Sequence, residues 1–288
     1  MGYRRSVEAD SLWEFQALNR EIVFLTYCDG KYCANANRNA WYPRVFWGAR
    51  TVTVTRGELE RDSVYAAHRE VFDQPTGAGC WAWKPWAILR TLRTLSRHQV
   101  LVYQDCGFGL RYRNFIYPRE LIGRAIQGGF IAGVQTYDYG VNAKWNSRTC
   151  IETIGSYDQK YLDAPLVEAV FSFWTNTVES CAFLEEWQAL CLRPEVIGIT
   201  AEDKLRKQDG RFVCHRFDQS ILTNLVIREN APVVEFSGGN PGLSKSIGIV
   251  ELAMRRSSSL AAGAAYSLLV SMAMLRKEIY LRKSRVCK

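Results

Sequence analysis

The sequence predicts an α/β fold built on a mostly parallel, mixed sheet flanked by helices. Three observations carry that expectation. Short apolar or β-branched runs alternate with stretches at helical spacing. The first run, in "REIVFLTYCDG", is apolar without a break from Ile22 to Leu25 and ends in small and polar residues. A later run, Val100 to Tyr103, follows the clearest amphipathic pattern in the chain. An unbroken apolar run suits a strand covered on both faces, the usual state of a parallel strand under helices. Strand, helix and strand in alternation give parallel pairing through right-handed crossovers.

After the first strand, "ARTVTVTRGE" reads as a second short strand, and "ERDSVYAAHREVF" has helical character. In "KPWAILRTLRTLSRHQVLVYQDCG", Ile88, Leu89, Leu92 and Leu95 recur at helical spacing, while Arg90, Arg93 and Arg97 occupy another face. Pro85 falls in the first turn, where its missing N–H has no helical partner to lose. "VEAVFSFW" (167–174) reads as one further strand. "NTVESCAFLEEWQALC" reads as a helix burying Val178, Cys181, Leu184, Trp187 and Cys191, with Asn176 and Glu179 as its capping box. "TAEDKLRKQDGRF" is polar enough for an exposed loop. Beyond it, Ile221, Leu222, Leu225 and Val226 mark a helix that starts near "HRFDQS". Residues 1–250 are expected to form the main domain and 251–288 a helical tail.

The chain has 288 residues, 48% hydrophobic and 23% charged, which is the composition of a globular domain rather than a disordered one. Its formal net charge of +8 should attract anions. No nucleic-acid-binding module is recognisable, so nucleic acid is not the expected partner. In the tail, Leu260 to Leu275 is short against the ~20 apolar residues a membrane-spanning helix needs. Arg276, Lys277, Arg282, Lys283 and Arg285 suit an anionic membrane surface instead. The start, "MGYRRSVEADSLWEF", lacks the apolar core of a signal peptide. The nine cysteines are odd in number and contain no CxxC pair, which fits neither paired zinc ligands nor a disulfide framework. They are expected to be reduced and mostly buried in a cytoplasmic protein, peripheral at most to the inner face of the membrane.

In parallel sheets, ligands bind outside the carboxyl ends of the strands, so the exits "TYCDG" and "YQDCG" stand out. Asp105 either holds a ligand or caps the Gly107–Phe108–Gly109 turn. In "GAGCWAWKPW", Trp81, Trp83 and Trp86 could stack on a base or sugar, but core packing is the more common use of such residues. Lys84 sits at a helix start, where free N–H groups and the dipole favour anions, and is well placed for a phosphate unless it is simply a solvated surface lysine. In "CHRFDQSILTNLV", His215 gains interest from Asp218 and Gln219 beside it, although Asp218 also suits a helix cap.

"GCWAWKPWAILRTL" followed by "VLVYQDCG", then "YLDAPLVEAVFSFWTNTVESCAFLEEWQALC" and "HRFDQSIL", resembles a group of bacterial capsule and surface-polysaccharide glycosyltransferases of the GT-A fold. The likeness spans roughly residues 22 to 230, with three motifs in order. It implies a single catalytic domain that transfers a hexose or similar sugar from a nucleotide-diphosphate donor to a hydroxyl of a glycan or lipid-linked acceptor. By the same resemblance Thr26, Tyr27 and Asp29 border the base, Lys84 and Arg216 lie near the donor, and Asp105 matches the first aspartate of a DxD motif. Mn or Mg would be held by Asp105 with His215 as a second ligand. The chain departs from the motif at Gly107, where the last aspartate of DxD is the main metal ligand. "DQS" is similar to the DQ segment of retaining galactosyltransferases, which implies Asp218 and Gln219 as catalytic residues and favours retention. Two competitors are a nucleotidyltransferase, which would need a glycine-rich phosphate loop where "TYCDGKYCANANRN" has one glycine, and a basic, non-enzymatic nucleic-acid binder.

Overall fold

The computed structural model describes residues 21–46, 48–108, 119–201 and 205–236. The expected tail, 251–288, lies outside them. The larger sheet has five strands in the order β2 (Arg50–Thr55), β1 (Glu21–Cys28), β3 (Gln99–Gln104), β7 (Phe171–Thr175) and β4 (Phe130–Ile131). β1 pairs in parallel with β2 and with β3, whereas β7 runs antiparallel to both β3 and β4. A smaller sheet has the order β6 (Pro165–Glu168), β5 (Val134–Val141) and β8 (Val234–Phe236), antiparallel then parallel. The protein is therefore α/β with a mixed sheet, parallel at β2-β1-β3 and flanked by helices.

The unbroken apolar run of β1 follows from burial on both faces. Val23, Leu25, Leu101 and Tyr103 face a core shared with the helices Trp83–Leu92 and Val178–Cys191. Ile22, Phe24, Val100 and Val102 face a second core against Ile122 and Ala125 of the helix Arg119–Gly128. The helix predicted from Ile88, Leu89 and Leu92 is present, with Pro85 in its first turn, and all three apolar side chains are buried. "ERDSVYAAHREVF" becomes a series of short helical turns, Ser63–Ala67 and Arg69–Phe72 among them, rather than one helix.

Three expectations require correction. The single strand over 167–174 is two: β6 ends at Glu168 and β7 begins at Phe171, and they lie in different sheets. Both segments are largely buried, and the one charged residue at the switch, Glu168, is buried as well, so burial runs through the switch. The helix Val178–Cys191 is capped by Thr177, whose side chain accepts from the Ser180 N–H. Asn176 instead donates to the Leu95 carbonyl. Val178 is 78% exposed and Cys181 half-buried, and Phe183, Leu184, Trp187, Leu190 and Cys191 form the packed stripe. Finally, Cys28 and Cys33 form a disulfide, because the end of β1 and the start of the helix Cys33–Phe46 bring their Cα atoms to 4.9 Å. The other described cysteines are free thiols. Among the described residues, no helix is long and apolar enough to cross a membrane.

Candidate functional site

The carboxyl ends of β1 and β3 open into a cleft of about 620 Å³. Asp29, Gly30 and Tyr32 line it from the β1 exit, Asp105, Cys106 and Gly107 from the β3 exit, and Gly77, Ala78 and Trp81 from the loop before the helix Trp83–Leu92. The described lining has two carboxylates, Asp29 and Asp105, and neither lysine nor arginine. Its inner wall is aromatic: Tyr27 stacks on Trp83 with ring centroids 3.8 Å apart.

Beneath the cleft lies a buried charged cluster. Lys84, 2% exposed, places Nζ 3.3 Å from Asp105 Oδ2 and 2.9 Å from Asp218 Oδ2. Tyr103 donates its hydroxyl to Asp105 Oδ1. One cation thus faces two anions, and the cluster carries a net charge of −1 in a space from which water is largely excluded. Burial pushes the Asp218 carboxyl up to about 6, with the Asp105 charge adding to the rise and Lys84 opposing it. For Lys84, burial works against the charged form, but Asp105 and Asp218 outweigh it and hold the ammonium above its ordinary value. Burial, then Asp105, pushes Tyr103 well upward, so its hydroxyl stays a donor. A carboxyl raised in this way by burial beside a charged partner is a physical marker of candidate functional sites.

The loop over the cluster is strained. Gly77, Ala78, Gly79, Cys80 and Trp81 all have positive φ, at 58°, 52°, 100°, 54° and 58°. For the three that are not glycine this conformation costs about 1–2 kcal/mol each. Gly79 needs its missing Cβ as well, because one would sit 2.8 Å from the Phe72 backbone. The loop is held by Arg56, whose Nη1 donates to the Phe72 and Ala78 carbonyls, and by Trp83 Nε1, which donates to the Gly77 carbonyl at 3.0 Å. Phe217, the first residue of the helix Phe217–Glu229, also has positive φ, at 50°, and its ring meets that of Trp81 at 5.9 Å. Local strain of this kind persists where surrounding contacts over-determine it, and it concentrates at working sites.

The structure brings Lys84, Asp105 and Asp218 together from positions far apart in the chain. Lys84 is neither a solvated surface lysine nor a free phosphate ligand, since its ammonium is committed to two aspartates. Asp218 does not line the cleft; it is 3% exposed and lies behind Lys84, so the catalytic role that the resemblance implies for it would have to act through Lys84. Gln219, one residue on, also lies outside the cleft lining, and its buried Nε2 finds no acceptor among the described residues. Thr26 is fully buried and donates to the Gln104 carbonyl at 2.8 Å, tying β1 to β3 instead of touching a base. Tyr27 and Asp29 do line the cleft, although the Tyr27 ring is almost wholly covered by its stacking on Trp83. Arg216 lies over the Trp145 ring at 4.1 Å and the Tyr139 ring at 4.9 Å, away from the cleft lining. Trp86 is core and bonds Asp62 at 3.0 Å.

The donor set does not fit a divalent cation. Asp105 offers one oxygen to the Tyr103 hydroxyl and the other to the Lys84 ammonium, so a metal bound to it would lie beside a buried positive charge. His215 accepts from the Ser147 N–H through Nδ1 at 3.2 Å, which leaves its proton on Nε2, and the residue is not part of the cleft lining. Among the described residues no group of three or more His, Cys, Asp and Glu is placed to hold a metal.

Sequence reasoning passed over Tyr103, Tyr32 and Arg56. Tyr103 was findable: it stands two residues before Asp105 on an extended chain, so the two share a side. Nothing local marks Arg56, which acts through carbonyls 16 and 22 residues away. Compared with protein-family models, curated proteins and solved structures, the chain matches none.

Proposed function

We propose that the protein is a glycosyltransferase that moves a sugar from a nucleotide-diphosphate donor to a hydroxyl of a glycan or lipid-linked acceptor, with the cleft at the ends of β1 and β3 as donor site. The supporting observation is that Lys84, Asp105 and Asp218, one from each of three motifs that resemble glycosyltransferase segments, meet in one ion-paired cluster under that cleft. Asp105 is the member that reaches the cleft, where its carboxylate can accept hydrogen bonds from ribose or sugar hydroxyls. Asp218 acts through Lys84, which keeps Asp105 oriented and lowers the cost of its charge. The strained loop carries Trp81 to the cleft wall. In this reading no step passes through a metal.

The test is a thermal-shift screen against nucleoside diphosphates and nucleotide sugars, followed by product detection with the best donor. A ligand that binds only the folded state raises the melting temperature. Asp105→Asn should weaken binding of the selected donor by about 1–3 kcal/mol, the usual cost of losing a charged hydrogen-bond acceptor. Absence of any shift with every donor, in protein shown to be folded, would remove the reading.

A further inference from the structure

We propose that Trp81 is the platform on which the sugar ring of the donor lies, and that the left-handed loop 77–81 exists to hold it there. The inference rests on the cleft being the donor site. Trp81 is half-buried and lines the cleft. Its indole is held from two sides. A Cβ on Gly77 would run into Trp81 Cδ2 and Cε3, so the ring sits directly over that glycine, and Phe217 meets it at 5.9 Å. A side chain anchored in this way presents an ordered flat surface rather than a mobile one.

The position of the platform along the cleft favours a sugar over a base. Phe217, which contacts Trp81, directly precedes Asp218, and Cys80, next to Trp81, is close enough to Asp218 for that carboxylate to help burial push its thiol up to about 11. Trp81 therefore stands at the charged-cluster end of the cleft. Asp29 and Tyr32 come from a different segment, the β1 exit. The C–H face of a pyranose packs on an indole by dispersion and by attraction of its polarised C–H bonds to the negative ring face. Its hydroxyls then need acceptors at the edge. Asp105 is such an acceptor, and the described lining has no lysine or arginine that would select for phosphate instead.

The experiment is equilibrium binding by calorimetry of UDP-glucose, GDP-mannose, UDP, GDP and inorganic pyrophosphate to the wild type, Trp81→Phe, Trp81→Ala and Gly77→Ala. The donor pair preferred by the wild type is followed. Trp81→Ala should lose about tenfold or more in affinity for the nucleotide sugar while its affinity for the matching nucleoside diphosphate stays within about twofold. Trp81→Phe, which keeps a ring, should retain most of the affinity. Gly77→Ala should behave like Trp81→Ala, because it displaces the indole without altering it; circular dichroism and melting curves verify that each variant is folded. Equal losses for nucleotide sugar and nucleoside diphosphate would assign Trp81 to the base and overturn the proposal. Unchanged binding in folded Trp81→Ala would overturn it too, with the donor site left standing. If the wild type binds none of the nucleotides or nucleotide sugars, the donor reading fails and this inference falls with it.

Discussion

Two buried polar clusters anchor the helix Phe217–Glu229, and they are built on opposite principles. At one, Asn142 donates to Asn224 Oδ1 at 2.9 Å and to the Tyr161 carbonyl at 3.0 Å, while Asn146 donates to Asn142 Oδ1 and to the Ser220 carbonyl, each at 2.9 Å. Every group is neutral and the cluster joins helix to loop without reaching the cleft. At the other, Lys84 bridges Asp105 and Asp218, the charges do not balance, and one carboxylate opens into the cleft. A neutral, hydrogen-bonded network is what a fold needs to fix the geometry of a buried helix. A net buried charge raises the cost of folding. Polarity at depth is therefore common to both clusters; charge imbalance beside a cleft is what sets the second apart.

The largest expected effect breaks the charged cluster at its bridge. Lys84→Met keeps length and apolar stem but leaves two buried carboxylates without a cation, and should destabilise by about 3–5 kcal/mol, the penalty for removing one partner from a buried ion pair. Urea unfolding followed by circular dichroism measures it. A loss below about 1 kcal/mol would mean that water reaches the cluster and that the contrast with the amide network is false.

The next effect is at the neutral cluster. Asn142→Ala strips partners from Asn146 and Asn224 and should cost about 1–3 kcal/mol, the price of buried polar groups left unmet. Because no member titrates, this loss should be the same at pH 5 and pH 8. A loss that varies with pH over that range would show that the two clusters are coupled through the helix they share.

How much of this was legible in the sequence depends on how local the cause is. Burial on both faces writes an unbroken apolar run, so β1 and β3 and the helix between them were readable from Ile22–Leu25, Val100–Tyr103 and Ile88–Leu92. The break between β6 and β7 was not, because a change of sheet alters the partner of a strand and not its hydrophobicity. At the site, each motif residue could be flagged singly, since a carboxylate after a buried strand or a lysine at a helix start is unusual. That Lys84 would face two aspartates, and so be neutralised, depends on Asp218 arriving from 134 positions downstream of it. The left-handed run was half visible: Gly77 and Gly79 invite it, whereas Ala78, Cys80 and Trp81 adopt it in a loop whose Ala78 and Gly77 carbonyls are held by the distant Arg56 and by Trp83.

The smallest effect on stability sharpens the comparison most. Asp218→Asn leaves Lys84 paired with Asp105 alone, so the buried net charge becomes zero at nearly constant shape. With its folded-state pKa raised to about 6, Asp218 keeps a proton in the folded protein that the unfolded chain has already released from about pH 4 upward. The folded state then binds more protons than the unfolded one between about pH 4 and 6, so wild-type stability falls with rising pH across that window and stays lowered above it. Asn carries no such burden. The variant should match the wild type near pH 4, to within about 1 kcal/mol, and equal or exceed it above pH 6, while donor turnover falls because Asp105 loses its counterpart across Lys84. Urea midpoints at pH 4.5 and 7.5, set against turnover at pH 7.5, test both halves. A variant that is less stable at pH 7.5 than at pH 4.5 relative to wild type would make Asp218 a structural ion-pair partner like any other, and would remove the charge imbalance as the sign that separates this cluster from its neutral neighbour.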